Sequence, residues 1–144
     1  MTNLSILITN VTYSSTEIQH KCKQLGFNPS PYTLRQLSKY GDIQTKDTHI
    51  LGFGEYKNAS RIEIITKHEQ KYGKLPKGYL VIESHKIGLH YRPFECLLLD
   101  EEGNMYNCPY YNGQAHINSK KPLYKSLHAY IIDTLENHIK TTFY

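Results

Sequence analysis

Two strand-like runs joined by a short acidic turn constrain the fold of this chain most strongly. The first run, Phe94–Leu99, is followed by the turn Asp100–Gly103, and the second run is Asn104–Cys108. Since a four-residue connection is too short for a parallel crossover, the two runs must pair as an antiparallel hairpin. Gly103 supplies the positive φ that such connections often need. A second turn signal, Asn112-Gly113, predicts that the chain reverses direction once more.

Helix signals lie on both sides of this strand-rich segment. The Ser14-Ser15 pair followed by Glu17 predicts a helix over about residues 16–25 that stops at Gly26. Further helices are predicted to carry Tyr32 to Tyr40, to run from about Ala59 to Tyr72 with Asn58 as cap, and to run from about Leu123 to Ile139. Short strands are predicted at His49–Phe53 and Tyr79–Ile82. The order predicts an α+β domain with a central, mostly antiparallel sheet flanked by helices.

The length and the cysteines limit the class of protein. The 144 residues suit one domain over 1–144, with residues 1–13 as an edge strand or a loose arm. No run approaches the roughly 18–20 apolar residues of a membrane span, so no membrane partner is expected. The three cysteines, Cys22, Cys96 and Cys108, include no CxxC pair. Free thiols in a reducing compartment are therefore predicted, and with them a cytoplasmic location.

A series of short motifs in the middle of the chain resembles the SUKH superfamily, which includes the Smi/Knr-type cell-wall-assembly-regulator domains. The resemblance covers about residues 28–113. The matching motifs, in chain order, are Asn28-Pro29-Ser30-Pro31-Tyr32 with Leu34 and Leu37, Lys39-Tyr40-Gly41, Leu51-Gly52-Phe53-Gly54, Asn58-Ala59-Ser60, Gln70-Lys71-Tyr72-Gly73, Leu75-Pro76, Gly78-Tyr79-Leu80-Val81-Ile82, Leu97-Leu98-Leu99-Asp100, Gly103 and Met105-Tyr106.

This resemblance implies a function in binding rather than in catalysis. Many bacterial members of the superfamily are immunity proteins, which neutralise a cognate polymorphic toxin in the cytoplasm of the producing bacterium. The expected partner is therefore a protein toxin, with no cofactor and no small-molecule substrate. A regulatory scaffold domain, as in the eukaryotic relatives, is an alternative that the resemblance leaves open.

Acidic and aromatic side chains near the predicted sheet are the candidates for contact with such a toxin. Tyrosine is enriched at interaction hot spots, and consecutive acids in a turn can form a charged contact patch. The candidate contact residues are Glu83, Tyr91, Asp100, Glu101, Glu102, Tyr106, Tyr110 and Tyr111. We expect the sheet face and its loops to cover the toxin's active site or substrate path.

A basic face on the predicted 59–72 helix supports an alternative function. Residues 57–77 hold six basic and two acidic residues, a surplus that equals the net charge of +4 of the whole chain. Helical spacing places Tyr72 on the apolar face with Ile62, and groups Lys57, Ile64, Lys67, Lys71 and Lys74 on the opposite face. This basic patch would suit nucleic acid or an acidic protein. Nucleic acid is disfavoured because aromatic rings, which usually alternate with basic residues in such modules, are not expected on this face.

Metal and nucleophile chemistry find little support in the sequence. The eight histidines show no spacing typical of a metal site, and no serine lies in a GxSxG motif. Cys96 lies within an apolar run and is predicted to be a buried, inert thiol. Cys108, close to a strand end, is the candidate for an exposed thiol and keeps an enzyme as the weakest alternative.

Overall fold

The computed structural model describes residues 6–46, 48–54, 59–86 and 93–143. Within these ranges the helices are α1 (Ser15–Gln24), α2 (Pro31–Lys39), α3 (Arg61–Tyr72) and α4 (Leu127–Phe143). The strands are β1 (Leu7–Ile8), β2 (Ile43–Gln44), β3 (His49–Ile50), β4 (Tyr79–Lys86), β5 (Pro93–Asp100), β6 (Met105–Tyr111) and β7 (Gln114–Ala115). The predicted contact residue Tyr91 and the predicted basic residue Lys57 lie outside the described residues.

The strands form two antiparallel sheets, which confirms the predicted α+β class and antiparallel pairing. One sheet has the order β1-β2-β3 and the other the order β4-β5-β6-β7, so the strands expected in one central sheet are divided between two. The sheets meet where the Leu51 amide, just after β3, donates to the Ile82 carbonyl at 2.8 Å. Of the predicted N-terminal strand, β1 pairs with β2 at the edge of the smaller sheet, and Leu7 and Ile8 are exposed.

Serine caps begin three of the helices. The Ser14 side chain accepts from the Glu17 amide, and the Glu17 carboxylate accepts from the Ser14 amide in return, which confirms the predicted cap of α1. The same reciprocal pair, Ser60 with Glu63, caps α3. The prediction of Asn58 as that cap is therefore wrong, because Ser60 has the acidic partner three residues later that completes a capping box. Ser30 caps α2 and places Pro31 in the first turn.

The predicted hairpin is confirmed as β5 and β6. Gly103 in its turn has φ 98°, and the Gly103 amide donates to the Asp100 carbonyl at 3.2 Å. The second predicted turn joins β6 to β7, with φ 52° at Asn112 and 76° at Gly113. Positive φ at both central residues matches the right-handed twist of the flanking strands.

Cross-strand pairs place buried side chains on both faces of the larger sheet. Leu80, Leu99 and Met105 pair across β4, β5 and β6, and all three are fully buried. Cys96 and Cys108 pair on the opposite face and are also fully buried. Neither face is therefore open to a partner over these residues, and the exposed parts of this sheet lie elsewhere, for example at Phe94 and Tyr111.

The last helix begins four residues later than predicted. Leu123 is exposed and lies outside α4. The Leu123 amide donates to the Met105 carbonyl, and the Met105 amide donates to the Tyr124 carbonyl, both at 2.8 Å. This pairing with the edge of β6 engages the backbone of residues 123–124 and delays the start of the helix.

Gly41 allows the N-terminal segment to pack against the start of β2. A Cβ atom at Gly41 would lie 1.8 Å from the Thr9 carbonyl oxygen, far inside van der Waals contact. We expect Gly41→Ala to lower the free energy of unfolding by about 2–3 kcal/mol, because backbone atoms must move apart. Urea denaturation measures the change.

Gly78→Ala is the control for the Gly41 prediction. Gly78 has φ 93°, and a methyl group added there would have no atom within 4 Å. This variant therefore tests backbone strain alone, at about 1 kcal/mol. Equal losses in the two variants would show that the contact with Thr9 is unimportant.

Candidate functional site

A polar cleft lies between α4, β4 and the connection from β2 to β3. Its volume is about 270 Å³. The residues that line it are Thr45, Thr48, Glu83, Tyr124, Tyr130, Asp133, Thr134, Asn137 and His138. Of the predicted contact residues that the structure describes, Glu83 is the one that lies in this cleft.

A bulge in β4 turns Glu83 toward α4. Val81 pairs with Leu98 whereas Glu83 pairs with Leu97, so Ile82 is an extra residue in β4. Neighbouring residues of a strand point to opposite faces, and Glu83 therefore shares the face of Leu97 rather than that of Val81. Without the bulge, Glu83 would lie on the face that α3 covers.

The helix α4 supplies the other wall of the cleft from one side of its surface. The cleft is lined by Tyr130 and by the residues three, four, seven and eight positions after it, which are Asp133, Thr134, Asn137 and His138. Such spacing places side chains on one helical face. The apolar pattern of the sequence obscures this polar stripe, because helical spacing places Tyr130 and His138 on the same face as the apolar residues of this helix. The spacing of the polar residues is itself a signal that could have found it.

Tyrosine hydroxyls hold both carboxylates of the cleft. The Tyr130 hydroxyl donates to Glu83, which is buried. The Tyr124 hydroxyl donates to Asp133 Oδ2 at 2.6 Å, and the rings of Tyr124 and Tyr130 lie 5.2 Å apart. Burial and the Glu83 contact raise the pKa of Tyr130. The hydrogen bond to Asp133 raises the pKa of Tyr124 to about 12, so both phenols remain donors at neutral pH.

This arrangement suits a cationic or amine group. Carboxylate and hydroxyl oxygens face the cleft, and a Lys or Arg side chain can donate to several of them at once. Among the described residues no group of three or more His, Cys, Asp or Glu side chains could hold a metal ion.

The predicted acidic turn is engaged within the molecule. Asp100 Oδ1 accepts from the amides of Glu102 and Asn104, at 3.0 and 2.9 Å, and so stabilises the turn. The Glu101 carboxylate accepts from the Asn28 amide, and the Glu101 carbonyl accepts from the Ser30 amide at 2.9 Å. These contacts fix the hairpin turn to the connection between α1 and α2. Glu102 is the exposed acid of the three and the one best placed for an external contact.

The fold leaves the predicted contact tyrosines of β6 with different degrees of exposure. Tyr106 is partly buried against the Tyr79 ring, and burial and the neighbouring Asp100 raise its pKa. Tyr110 is 8% exposed, and burial beside Cys96 and Glu69 raises its pKa. The prediction of Tyr110 as a surface contact is wrong, because its ring is part of the core. Tyr111 is 60% exposed and packs edge-on against His116, so it remains a contact candidate.

The basic face of α3 is exposed as predicted and carries an aromatic ring that is not predicted there. Lys67, Lys71 and Lys74 are exposed, and Ile64 is 46% exposed. Tyr72, which helical spacing places on the buried face, is 55% exposed, with Lys71 Nζ 5.1 Å from its ring centroid. Buried Thr66 and Glu69 occupy the inner face in its place.

The three described thiols are free, as predicted, and all are buried. The prediction for Cys96 is confirmed, and desolvation raises its pKa to about 12. The exposure considered for Cys108 is not found, because it lies opposite Cys96 in the β5–β6 pair. Desolvation raises the pKa of Cys108 to about 11. A catalytic thiol needs a lowered pKa and access to substrate, so Cys108 is unsuited to that role.

No family model and no curated protein significantly matches this sequence. The resemblance to the SUKH superfamily therefore stays a prediction based on the motifs. None of the helices in the described ranges is long and apolar enough to cross a membrane.

Thiol labelling tests whether Cys108 is protected. We expect a thiol-alkylating reagent at pH 8 to leave the native protein unlabelled and to label three thiols in urea, because burial denies the thiolate both solvent and access. Mass spectrometry counts the labels. Rapid labelling of Cys108 in the native protein would contradict its burial and restore the nucleophile hypothesis.

Proposed function

We propose that this chain is an immunity protein of the SUKH type. It binds a cognate protein toxin with one-to-one stoichiometry in the cytoplasm of the producing cell and thereby blocks the toxin. The order of the motifs supports this proposal.

The observation that carries the proposal is the polar cleft beside α4. Glu83 and Asp133 are each held by a tyrosine hydroxyl, so their positions are set before a partner arrives. Ordered acceptors lose little conformational entropy on binding. Arginine is the residue most enriched among charged interface hot spots, and a basic side chain of the toxin is the group that this cleft would accept. Tyr124 and Tyr130 would flank that side chain.

Removal of the charge of Asp133 tests the role of the cleft. Asp133→Asn keeps an oxygen that can accept from Tyr124 but abolishes the negative charge. We expect the affinity for the toxin to fall about tenfold, or about 1.4 kcal/mol. The partner is first captured from the native host and identified by mass spectrometry, and its purified toxin domain is then titrated calorimetrically.

Glu136→Gln is the matched control for Asp133→Asn. Glu136 is also an exposed acid of α4 but does not line the cleft, so its loss of charge should leave the affinity within about twofold. Equal losses in both variants would assign the effect to overall charge. Failure of the chain to rescue the growth of bacteria that express the captured toxin domain would reject the immunity function.

A second candidate function is binding of nucleic acid by α3. The observation in its favour is the exposed Tyr72 ring beside Lys71 and His68, whose ring centroid lies 4.7 Å from that of Tyr72. Basic residues combined with an exposed ring are typical of surfaces that bind single strands. The exposed ring removes the ground on which the sequence disfavours nucleic acid, which is the expected lack of aromatic rings on this face.

Salt dependence distinguishes this second function. If α3 binds nucleic acid, the Lys67→Ala/Lys71→Ala double variant should reduce the slope of log affinity against log salt by about 1–2. Arg35→Ala/Lys39→Ala, which removes the same charge from α2, should leave the slope unchanged. Filter binding with a labelled oligonucleotide measures both slopes, and the absence of binding at low salt would reject this function.

A further inference from the structure

A second concave surface lies between α2 and the beginning of α4. This basic groove has a volume of about 320 Å³ and is lined by Tyr32, Arg35, Gln36, Lys39, Tyr40 and His128. Within the described part of the chain no acidic side chain lines it, and neither helix has an acid in its first turn. We propose that the basic groove binds an acidic segment of a protein partner through two of that segment's carboxylates.

Helical spacing gathers the basic groups of the groove. Arg35 and Lys39 lie three and seven residues after Tyr32 in α2, so the three share one helical face, and Tyr40 follows directly after the helix. α2 contains no acidic residue at all. Arg35 and Lys39 are both exposed, and among the described residues neither takes part in an ion pair. Two cations one helical turn apart are therefore available to an external anion.

The floor of the groove is ordered by contacts between the two helices. The Tyr40 hydroxyl is hydrogen-bonded to His128 Nδ1. The His128 amide, in the first turn of α4, donates to Gln36 Oε1 at 3.0 Å. This amide is therefore not available to a ligand in the groove. These contacts fix the groove and leave its charge to Arg35 and Lys39.

The spacing of the two cations suits an extended peptide. Residues one helical turn apart have Cβ atoms about 5–6 Å apart. Alternate residues of an extended peptide are about 6.6–6.8 Å apart and point the same way. Two such carboxylates can therefore reach Arg35 and Lys39 together.

The basic groove is distinct from the polar cleft. With about 100° per residue, His128 and Asn137 lie on opposite sides of α4. His128 lines the groove, and Asn137 lines the cleft. The groove proposal therefore does not depend on the proposed immunity function, and each can fail without the other.

An acidic peptide tests the groove directly. The probe is a fluorescein-labelled peptide with glutamate at alternate positions, measured by fluorescence anisotropy in about 50 mM salt. We expect Arg35→Ala/Lys39→Ala to weaken binding at least about fivefold. The matched control, Lys67→Ala/Lys71→Ala, removes two lysines with the same spacing from α3 and should change the affinity less than about twofold. Since all four side chains are exposed, circular dichroism should show unchanged folding.

Each other outcome would overturn the proposal. Equal weakening by the two double variants would show that overall charge, and not the groove, attracts the peptide. Competition by millimolar inorganic phosphate, lost in the Arg35→Ala/Lys39→Ala variant, would show a site for small anions. Binding of a glutamine-substituted peptide with the same affinity would exclude the carboxylates, and no binding of the acidic peptide to the wild-type chain would exclude the site.

Discussion

The β5–β6 hairpin, with buried side chains on both of its faces, is the constraint on which the rest of the structure depends. A strand pair that is apolar on both sides needs cover on both sides, because each exposed face would cost the free energy of its apolar area. α3 covers one face, where Thr66 Oγ1 accepts from the Val81 amide at 3.0 Å. On the other face, Tyr130 of α4 reaches Glu83.

This cover leaves concave surfaces along the helices. The polar cleft and the basic groove both lie there, and α4 contributes to each. Glu83 and Asp133 give the cleft on one side a negative character, whereas Arg35 and Lys39 give the groove on the other side a positive one. Two surfaces of opposite charge therefore lie on opposite sides of one helix.

Local chemistry explains why some elements could be predicted from sequence. The Ser14–Glu17 capping box, the turn ending at Gly103 and the Asn112-Gly113 turn depend on residues at most four positions apart, so the sequence contains all the groups involved. The start of α4 could not be predicted in this way, because it depends on the pairing of Leu123 and Tyr124 with Met105. That contact joins residues far apart in the chain.

The sequence by itself determined the α+β class, the hairpin and the helix that carries the basic face, since periodicity and turn residues are local properties. Tertiary structure decided which side chains are available to a partner. The bulge at Ile82 turned Glu83 into the cleft, packing against Glu69 and Cys96 buried Tyr110, and the inner face of α3 left Tyr72 outside. Exposure depends on which elements pack together, and that information is not contained in the spacing of residues along one segment.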